Sequence, residues 1–363
     1  MKEKFKSLAE MFHISGDIET YRVISRGNIN TTYDVTILDQ SERKRFIFQK
    51  LNLHVFHNPK RLMKNIEAIT SHISNKLEES GESQDHVMQF AHRENGKNYF
   101  IEDDSFWRIS KYVTDTAVYD ECDNLDKLKS AGRAFGRFQT YLSDFDASSL
   151  YETIPKFHDT RSRIAVLAKH IDEDPCGRVS DALSEIEAID RFKALAVKLN
   201  ELVDSDELPI RVTHNDTKIN NVLFDKTTGE AKTVIDLDTV MPGLVAHDFG
   251  DAVRCAANTS SEDEPDLSKV DFDLERFRAF AEGFIPEIKS SLTHIEIETM
   301  ALGAFTMTIE LAVRFLDDYI TGDKYFKTEY SNHNLIRARC QIRLAEKIYE
   351  NMDEMNRIIL DMI

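Results

Sequence analysis

The sequence predicts an α+β protein of two lobes, a β-rich amino-terminal lobe at residues 1–112 and a mainly helical carboxy-terminal lobe at residues 113–363. Three observations support this prediction. The first hundred residues hold short β-prone runs separated by turn residues, whereas the chain from Leu125 onward has the apolar spacing of helices. A chain of 363 residues is also too long for one small core and suits two lobes that share a cleft.

The amino-terminal lobe is predicted to combine a set of strands with one long helix. Strands are expected at residues 20–25, 32–38, 45–51, 87–90, 98–101 and 107–113. The helix is expected after Asn58-Pro59, because the apolar residues that follow lie on one helical face: Leu62, Ile66, Ile69 and Ile73. Residues 111–115 then form the connector to the second lobe.

The carboxy-terminal lobe is predicted from a long apolar stripe and the helices that follow it. The stripe has helical spacing and consists of Leu128, Ala131, Phe135, Phe138 and Leu142. Gly132 and Gly136 lie beside the stripe and are expected to permit close helix packing. Further helices are expected at residues 161–170, 180–203, 271–284, 294–320 and 333–362, with a β-rich hairpin at residues 208–238 among them.

Composition excludes several classes of partner. A net charge of −18 argues against a nucleic-acid partner, since domains that bind a phosphate backbone usually carry a basic face. The charged amino terminus lacks the apolar core of a signal peptide, and no run approaches 18 apolar residues, so no membrane partner is expected. The four cysteines are scattered and are expected to be reduced thiols of a cytoplasmic protein. No exposed seam suggests an obligate partner, so a monomer is expected.

The most informative segment of the chain is residues 212–251. It holds His214-x-Asp216, then Asn221 five residues past Asp216, then a turn and an apolar run that ends on Asp236. This order suits a base that faces an acceptor hydroxyl, followed by an amide and a carboxylate that hold Mg²⁺ on ATP phosphates. Asp216 is therefore the candidate catalytic base, and Asn221 and Asp236 are the candidate metal ligands. The alternative for Asp216 is an acid that caps a turn beside a structural histidine.

The protein kinase catalytic loop has the same H-x-D-x-x-x-x-N spacing, so a bilobal protein-kinase-like fold is expected. His214 is expected to brace this loop by hydrogen bonding, because a histidine ligand would suit zinc better than Mg²⁺. Asp248, in the sequence HDFGD, is expected to tether loops and to bind no metal, since it follows Pro242-Gly243 instead of ending the hairpin strand.

The chain resembles the aminoglycoside phosphotransferase and choline kinase superfamily, and within it the N-acetylhexosamine 1-kinases. The resemblance runs from about residue 20 to residue 330 and rests on THNDTKINNVLFD, VIDLDTVMPG, HDFGDAVRCAAN, FQKLNLHVFHNP and IELAVRFLDDYITGDKYF. It implies a bilobal kinase fold of the aminoglycoside phosphotransferase type, Mg·ATP as the phosphate donor, and a hexosamine phosphorylated at its anomeric hydroxyl. Other superfamily acceptors are choline, homoserine, methylthioribose and aminoglycosides, and a non-catalytic nucleotide-binding protein is a further alternative.

The sequence signals for nucleotide binding are less specific than those of the predicted catalytic loop. Residues 26–33 look like the family's phosphate-covering loop, and the candidate nucleotide-binding residues in it are Gly27, Asn28, Asn30 and Thr32. An ordinary turn is the alternative reading. On the next strand Lys50 is the candidate phosphate-binding lysine, but strand neighbours point to opposite faces, so either Lys50 or Gln49 reaches the cleft.

The acceptor pocket is expected to come from the second lobe near Asp216. Its candidate sugar-binding residues are Asp238, Arg314, Tyr325 and Arg254. Each of them has a structural alternative, as a member of a salt bridge, a helix cap or a packed aromatic group.

Overall fold

A computed structural model describes residues 1–25, 29–120 and 124–363 of the chain. The helices are α1 (Lys2–Met11), α2 (Pro59–Ser80), α3 (Leu125–Tyr141), α4 (Thr160–Glu173), α5 (Leu183–Ala196), α6 (Lys198–Asp204), α7 (Val245–Ala256), α8 (Leu274–Ile288), α9 (His294–Glu298), α10 (Met300–Thr321) and α11 (His333–Leu360). The strands are β1 (Asp17–Ile24), β2 (Thr31–Asp39), β3 (Glu42–Lys50), β4 (Phe100–Glu102), β5 (Ser105–Lys111), β6 (Thr116–Ala117), β7 (Arg211–Thr213), β8 (Val222–Asp225), β9 (Ala231–Val234) and β10 (Met241–Gly243). The predicted α+β class, with a sheet first and helices after it, is confirmed.

The amino-terminal region is a five-stranded antiparallel sheet with α1 packed on one face. The strand order is β1-β2-β3-β5-β4. Phe5 of α1 and Phe12, which follows α1, form a buried cluster with Phe48 of β3 and Trp107 of β5. Helix α1 was not predicted from the sequence, and its packing decides which face of the sheet is left for other contacts.

The register between β3 and β5 assigns each side chain of β3 to a face. Lys50 is paired with Trp107, and Gln49 is paired with Arg108. Residues directly opposite each other on antiparallel strands share a face. Lys50 therefore lies on the face covered by α1, whereas Gln49 and Arg108 lie on the other face.

Helix α2 is the long helix that the sequence predicts after Asn58-Pro59. The Asn58 side chain caps its first turn, and Gly81 ends it in the left-handed region at φ 71°. The Asn65 side chain donates to the carbonyl oxygens of Tyr151 and Val240, at 2.8 and 3.0 Å. The bond to Val240 ties α2 to the segment that follows the predicted metal hairpin, and the bond to Tyr151 ties it to the segment before α4.

The predicted hairpin forms, but one predicted strand does not. Strands β8 and β9 are antiparallel and β6 adds a third strand beside β8, while β7 pairs with β10. Residues 87–90 make only an isolated bridge between Phe90 and Ser110, so the strand predicted there is wrong. The loop between β7 and β8 holds residues 214–221.

Glycines allow α3 to pack unusually close to α8. A Cβ atom on Gly132 would lie 2.2 Å from the Phe280 carbonyl oxygen, and one on Gly136 would lie 2.6 Å from the Phe284 carbonyl oxygen. The predicted role of these two glycines is therefore confirmed, because any larger residue would push the helices apart.

Glycines also allow α7 to pack closely against α10. A Cβ atom on Gly250 would lie 2.3 Å from the carbonyl carbon of Gly303, and one on Gly303 would lie 2.0 Å from the Ala246 carbonyl oxygen. The two backbones are therefore in direct contact, and neither helix can shift along the other without a clash.

The remaining predicted helices form, with two interruptions. The helix predicted at residues 180–203 divides into α5 and α6 at Val197, and the one predicted at residues 294–320 divides into α9 and α10 at Thr299. Within residues 1–25, 29–120 and 124–363, no helix combines the length and apolar content that a membrane crossing requires.

Candidate active site

Two acids of α7 hold the backbone of the catalytic loop. The amides of His214 and Asn215 donate to the Asp248 carboxylate at 2.8 and 2.7 Å, and the Thr217 amide donates to Asp251 at 2.8 Å. Burial raises the pKa of Asp248, so these hydrogen bonds matter for keeping its carboxylate ionised. Asp248 lies inside α7 and tethers the loop, as the sequence analysis expected.

His214 connects the loop to the metal hairpin. Its Nε2 atom lies 2.9 Å from the carbonyl oxygen of Ile235, the residue before Asp236. Its ring also makes edge contacts with Phe135 and Phe138 of α3. His214 is therefore positioned to brace the loop, as expected.

Asp216 lies between an amide and an ammonium group. The Asn221 side chain donates to the Asp216 carboxylate at 2.9 Å and to its carbonyl oxygen at 2.8 Å. On the other side, the Lys218 ammonium is 3.0 Å from Asp216 Oδ1. The charge of Asp216 is the main reason that the pKa of Lys218 is raised, so the lysine stays protonated at neutral pH.

Asp236 follows β9 in the left-handed region, at φ 63°. Burial first, and then the nearby charges of Asp238 and Asp216, raise the pKa of Asp236 to about 6. Its side chain nevertheless remains accessible from solvent. Asp216 is paired with Lys218 and Asp238 with Arg108, whereas the net effect on Asp236 is to disfavour its ionised form, which a bound divalent cation would stabilise.

The donor set fits Mg²⁺ completed by a nucleotide. Among the described residues, no group of three or more His, Cys, Asp or Glu side chains is arranged to hold a metal ion by itself. Mg²⁺ usually takes one or two carboxylates together with substrate phosphates and water. Asp236 and the amide oxygen of Asn221 would be the protein ligands of such an ion.

The structure contradicts Lys50 as the phosphate-binding side chain. Lys50 is exposed on the face of the sheet that α1 covers, as its pairing with Trp107 requires. Gln49 occupies the opposite face, where its Nε2 donates to Thr32 Oγ1 at 3.0 Å. Thr32 thus faces toward the hairpin with Gln49.

Asn30 is the other described member of the predicted phosphate loop. Its side chain donates to Asp238 at 2.6 Å and accepts from the Asn52 amide at 3.0 Å. The candidates Gly27 and Asn28 lie outside the described residues.

Asp238 has protein partners at both of its carboxylate oxygens. It is buried, it accepts from Asn30 before β2, and it forms an ion pair with the buried guanidinium of Arg108 on β5. Asp238 therefore links the hairpin to the sheet and the preceding loop, and the contact with sugar hydroxyls predicted for it stays a prediction.

Arg254 is likewise a structural residue. Its guanidinium donates twice to Asp251, at 2.9 and 2.7 Å, one helical turn away on α7. The pair is buried, and Asp251 in turn holds the Thr217 amide. Arg254 therefore supports the loop at residues 214–221 through Asp251, and the acceptor contact predicted for it stays a prediction.

Arg314 and Tyr325 are brought together, as predicted for a shared pocket. The Arg314 guanidinium lies 5.8 Å from the Tyr325 ring centre, 5.6 Å from that of Phe157 and 5.5 Å from that of Phe326. Tyr325 remains 64% exposed, so one side of this cluster is open.

A carboxylate on α10 shapes the segment that carries Tyr325. Asp318 accepts from three consecutive amides, those of Lys324, Tyr325 and Phe326, at 2.8, 2.8 and 2.9 Å. The Asn334 side chain fixes the second oxygen of Asp318 at 2.9 Å.

A buried histidine joins this cluster to the catalytic loop. His158 Nδ1 lies 2.8 Å from Glu310 of α10, and Nε2 lies 3.1 Å from the Asn215 carbonyl oxygen. Burial is the largest effect and opposes the charged form, but the charge and hydrogen bond of Glu310, the Asp251 charge and the Asn215 carbonyl together raise the pKa of His158. Burial would raise the pKa of Glu310, but His158 and Arg314 lower it to about 2. Both ring nitrogens face acceptors, as an imidazolium requires.

Sequence reasoning missed three residues at this site: Lys218, Arg108 and Asp318. Lys218 had a signal, since it lies two residues past Asp216 in the loop itself. Arg108 had none, because its partner Asp238 is 130 residues away.

Comparison with known proteins gives a family match and a shared fold. The model of the family described as "Phosphotransferase enzyme family" matches residues 20–280. A microcompartment-associated aminopropanol kinase has the same fold, with a TM-score of 0.59 and 16% identity over 96% of this chain and 98% of its own. An aminoglycoside phosphotransferase from Alicyclobacillus acidocaldarius has a TM-score of 0.61 and 12% identity, over 95% of this chain and 93% of its own. A spectinomycin phosphotransferase in complex with ADP and spectinomycin has a TM-score of 0.53 and 14% identity, over 95% of this chain and 98% of its own.

Proposed function

Since this chain belongs to the phosphotransferase enzyme family, we propose that it transfers the γ-phosphate of ATP to the anomeric hydroxyl of an N-acetylhexosamine. The two lobes of the proposed kinase are residues 1–112, which bind the nucleotide, and residues 113–363, which carry the catalytic loop and the acceptor pocket. The observation that carries the proposal is the convergence of Asp216, Asn221 and Asp236, with a cationic aromatic cluster connected to the same loop.

Asp216 is the proposed base. The bond that forms joins the anomeric oxygen to the γ-phosphorus, the bond that breaks joins this phosphorus to the β–γ bridging oxygen, and the hydroxyl proton goes to Asp216. Lys218, at 3.0 Å, stabilises the ionised carboxylate that this role needs. Asp236 and Asn221 are the proposed Mg²⁺ ligands, and the ion, when bound, supplies positive charge to the phosphates.

The charge of the acceptor region supports a neutral sugar over a cationic acceptor. Arg314 has Arg163 as a neighbour, and the pKa of Arg163 is lowered by burial and then by the Arg314 charge. The two acids near Arg163, Glu310 and Asp317, are already paired with His158 and His170. Choline, aminoglycosides and amino alcohols would bring a further cation to this region, whereas a sugar offers hydroxyl and acetamido oxygens to arginine donors.

The proposal is tested by identifying the acceptor and the phosphorylated oxygen. Purified protein is incubated with Mg·ATP and N-acetylglucosamine, N-acetylgalactosamine, choline or an aminoglycoside, and the products are examined by phosphorus NMR. We expect a sugar phosphate whose phosphorus couples to the anomeric proton. The 6-deoxy sugar should be phosphorylated and the methyl glycoside should not, because the fixed Asp216 can serve only one hydroxyl.

An Arg314→Gln variant tests the acceptor pocket separately. The KM for the sugar should rise about 10- to 100-fold, since a hydrogen bond to a charged group is lost, while the KM for ATP changes little. Arg357→Gln is the matched control, because Arg357 is an exposed arginine of α11 paired only with Glu354 among the described residues. A 6-phosphate product, turnover of the methyl glycoside, or phosphorylation of choline alone would overturn the proposed acceptor.

A further inference from the structure

The face of the sheet toward the hairpin carries a buried arginine, Arg108, that the proposed function has not used. Its side chain is 2% exposed, its Nε donates to Gln49 at 3.0 Å, and its Nη1 pairs with Asp238. Among the described residues it is one of the largest side chains to be completely buried. Burying a charge this deeply costs free energy of folding unless the charge is paired and hydrogen-bonded.

Arg108 lies where three elements of the proposed nucleotide site meet. Its partner Asp238 is two residues past the proposed metal ligand Asp236 and also holds Asn30 of the predicted phosphate loop. Its other partner, Gln49, binds Thr32 at the end of the same loop. The guanidinium therefore adjoins the metal hairpin, the loop and β3 together.

A kinase of this fold requires a cation for the nucleotide phosphates beside the metal ion, and in protein kinases a lysine on the third strand supplies it. On β3 of this chain the side chain that faces the hairpin is the neutral amide of Gln49, and Lys50 lies on the opposite face. Arg43 and Arg45 share this face of β3, but they lie further along the strand and are paired with Glu19 and Asp34. The positive charge beside Gln49 is one strand away, on the residue paired with it.

We propose that Arg108 is the residue that binds the nucleotide phosphates, with Asp238 as the carboxylate that holds it in place. This inference rests on the proposed use of ATP but not on the identity of the acceptor. The guanidinium has five N–H donors, of which Gln49, Asp238 and the Met63 sulfur engage three, so the two donors of Nη2 remain for phosphate oxygens. The planar group is fixed by both partners before a nucleotide arrives, which reduces the entropy lost on binding.

The test measures nucleotide affinity without any acceptor. Isothermal calorimetry with Mg·ADP and Mg·ATP is carried out on the full chain and on Arg108→Gln, Lys50→Gln and the double variant Gln49→Lys/Arg108→Gln. We expect Arg108→Gln to weaken binding about 10- to 100-fold, the range for losing one hydrogen bond to a charged group. Lys50→Gln should remain within about twofold of the natural protein, because Lys50 lies on the face covered by α1.

The double variant distinguishes phosphate binding from a purely structural tie. The Gln49 side chain lies 3.0 Å from the guanidinium, so a lysine at position 49 returns a positive charge to the same place. It should recover at least a third of the lost binding free energy if Arg108 binds phosphate. If Arg108 only joins the sheet to the hairpin, the melting temperature falls while nucleotide affinity stays within twofold, and this result would overturn the inference. Failure of Gln49→Lys to recover any affinity would overturn it as well.

A further variant covers the case in which Arg108→Gln does not fold because Asp238 is left unpaired. Arg108→Gln/Asp238→Asn removes both charges of the pair and therefore leaves no buried carboxylate without a partner. Its nucleotide affinity should show the same 10- to 100-fold loss, and an unchanged affinity would refute the inference. If the natural protein itself binds no Mg·ADP, the proposed function fails, and this outcome is distinct from a loss confined to the Arg108 variants.

Discussion

Replacing Glu310 by glutamine should destabilise the protein substantially, because it removes half of a buried ion pair. Glu310 accepts from His158 at 2.8 Å and from Thr160 at 2.7 Å, and both members of the pair are almost completely buried. The pKa of Glu310 falls from 4.5 to about 2 on folding. Each pKa unit corresponds to about 1.4 kcal/mol, so the ionised carboxylate contributes about 3 kcal/mol to the free energy of unfolding at neutral pH.

The pH dependence of this contribution has two limits. A carboxyl group whose pKa is lowered on folding stabilises the protein above its unfolded pKa, so the contribution of Glu310 is lost as pH falls from about 4.5 toward 2. A histidine whose pKa is raised stabilises the protein below about pH 6.5, so the contribution of His158 is lost as pH rises through its raised pKa. The difference between natural protein and variant should therefore be largest between these limits.

The measurement is urea unfolding followed by circular dichroism, for the natural protein, Glu310→Gln and Glu298→Gln. Glu298 is a matched control, since it pairs with His294 at 3.1 Å but 51% of its side chain is exposed. An exposed pair of this kind contributes at most about 1 kcal/mol. At pH 7 the Glu310 variant should lose about 3 kcal/mol, as the pKa shift implies. A loss no larger than that of the control would refute the reasoning that burial makes this pair strong.

Two further predictions concern the catalytic loop and the metal. Asp216→Asn should lower turnover about 10²- to 10⁴-fold and leave Mg·ATP affinity, measured by calorimetry, nearly unchanged, whereas joint loss of both would assign Asp216 to the metal. The apparent dissociation constant for Mg²⁺ should rise about tenfold for each pH unit below about 6. The reason is that a proton competes with the ion for Asp236, whose pKa is raised to about 6. Asn221→Ala should raise the Mg²⁺ requirement at every pH without changing the pH at which the dissociation constant begins to rise, since an amide does not titrate. If Asp236→Asn shows the same pH dependence as the natural protein, another group causes it.

The motif at residues 214–221 predicts which side chains of this loop lie together, because they are close in sequence. The spacing of Asp216, Asn221 and Asp236 already indicates one metal-bound nucleotide and one base. Arg254 also had a local signal, since Asp251 lies three residues before it on a helix, which is the distance of a helical ion pair. Weighing that spacing favours a structural role over an acceptor contact.

The error at Lys50 has a physical cause that the strand alone could not reveal. Phe46 and Phe48 share the parity of Lys50, and from the strand alone this apolar face is expected to be the one toward the cleft. In the structure Phe48 packs against Phe5 of α1, so the apolar face is buried by a helix that the sequence analysis did not predict. Period-two alternation identifies two faces of a strand but does not say what covers each of them.

Asp238 shows the other limit of sequence reasoning. Its proximity to Asp236 along the chain suggested a shared role, yet its partner Arg108 comes from a strand 130 residues earlier. Pairings at this separation are decided by the packing of the sheet on the hairpin, which no local pattern encodes.

The contact between Gly250 and Gly303 bears on how the proposed base lies relative to the proposed acceptor region. Helix α7 holds the loop that carries Asp216, α10 carries Arg314 and Glu310, and the two glycines bring these helices into backbone contact. The spacing of the two helices is thereby set by their backbones and does not depend on the outward side chains of α10. A substitution at Arg314 should therefore change the proposed pocket and leave the proposed base in place.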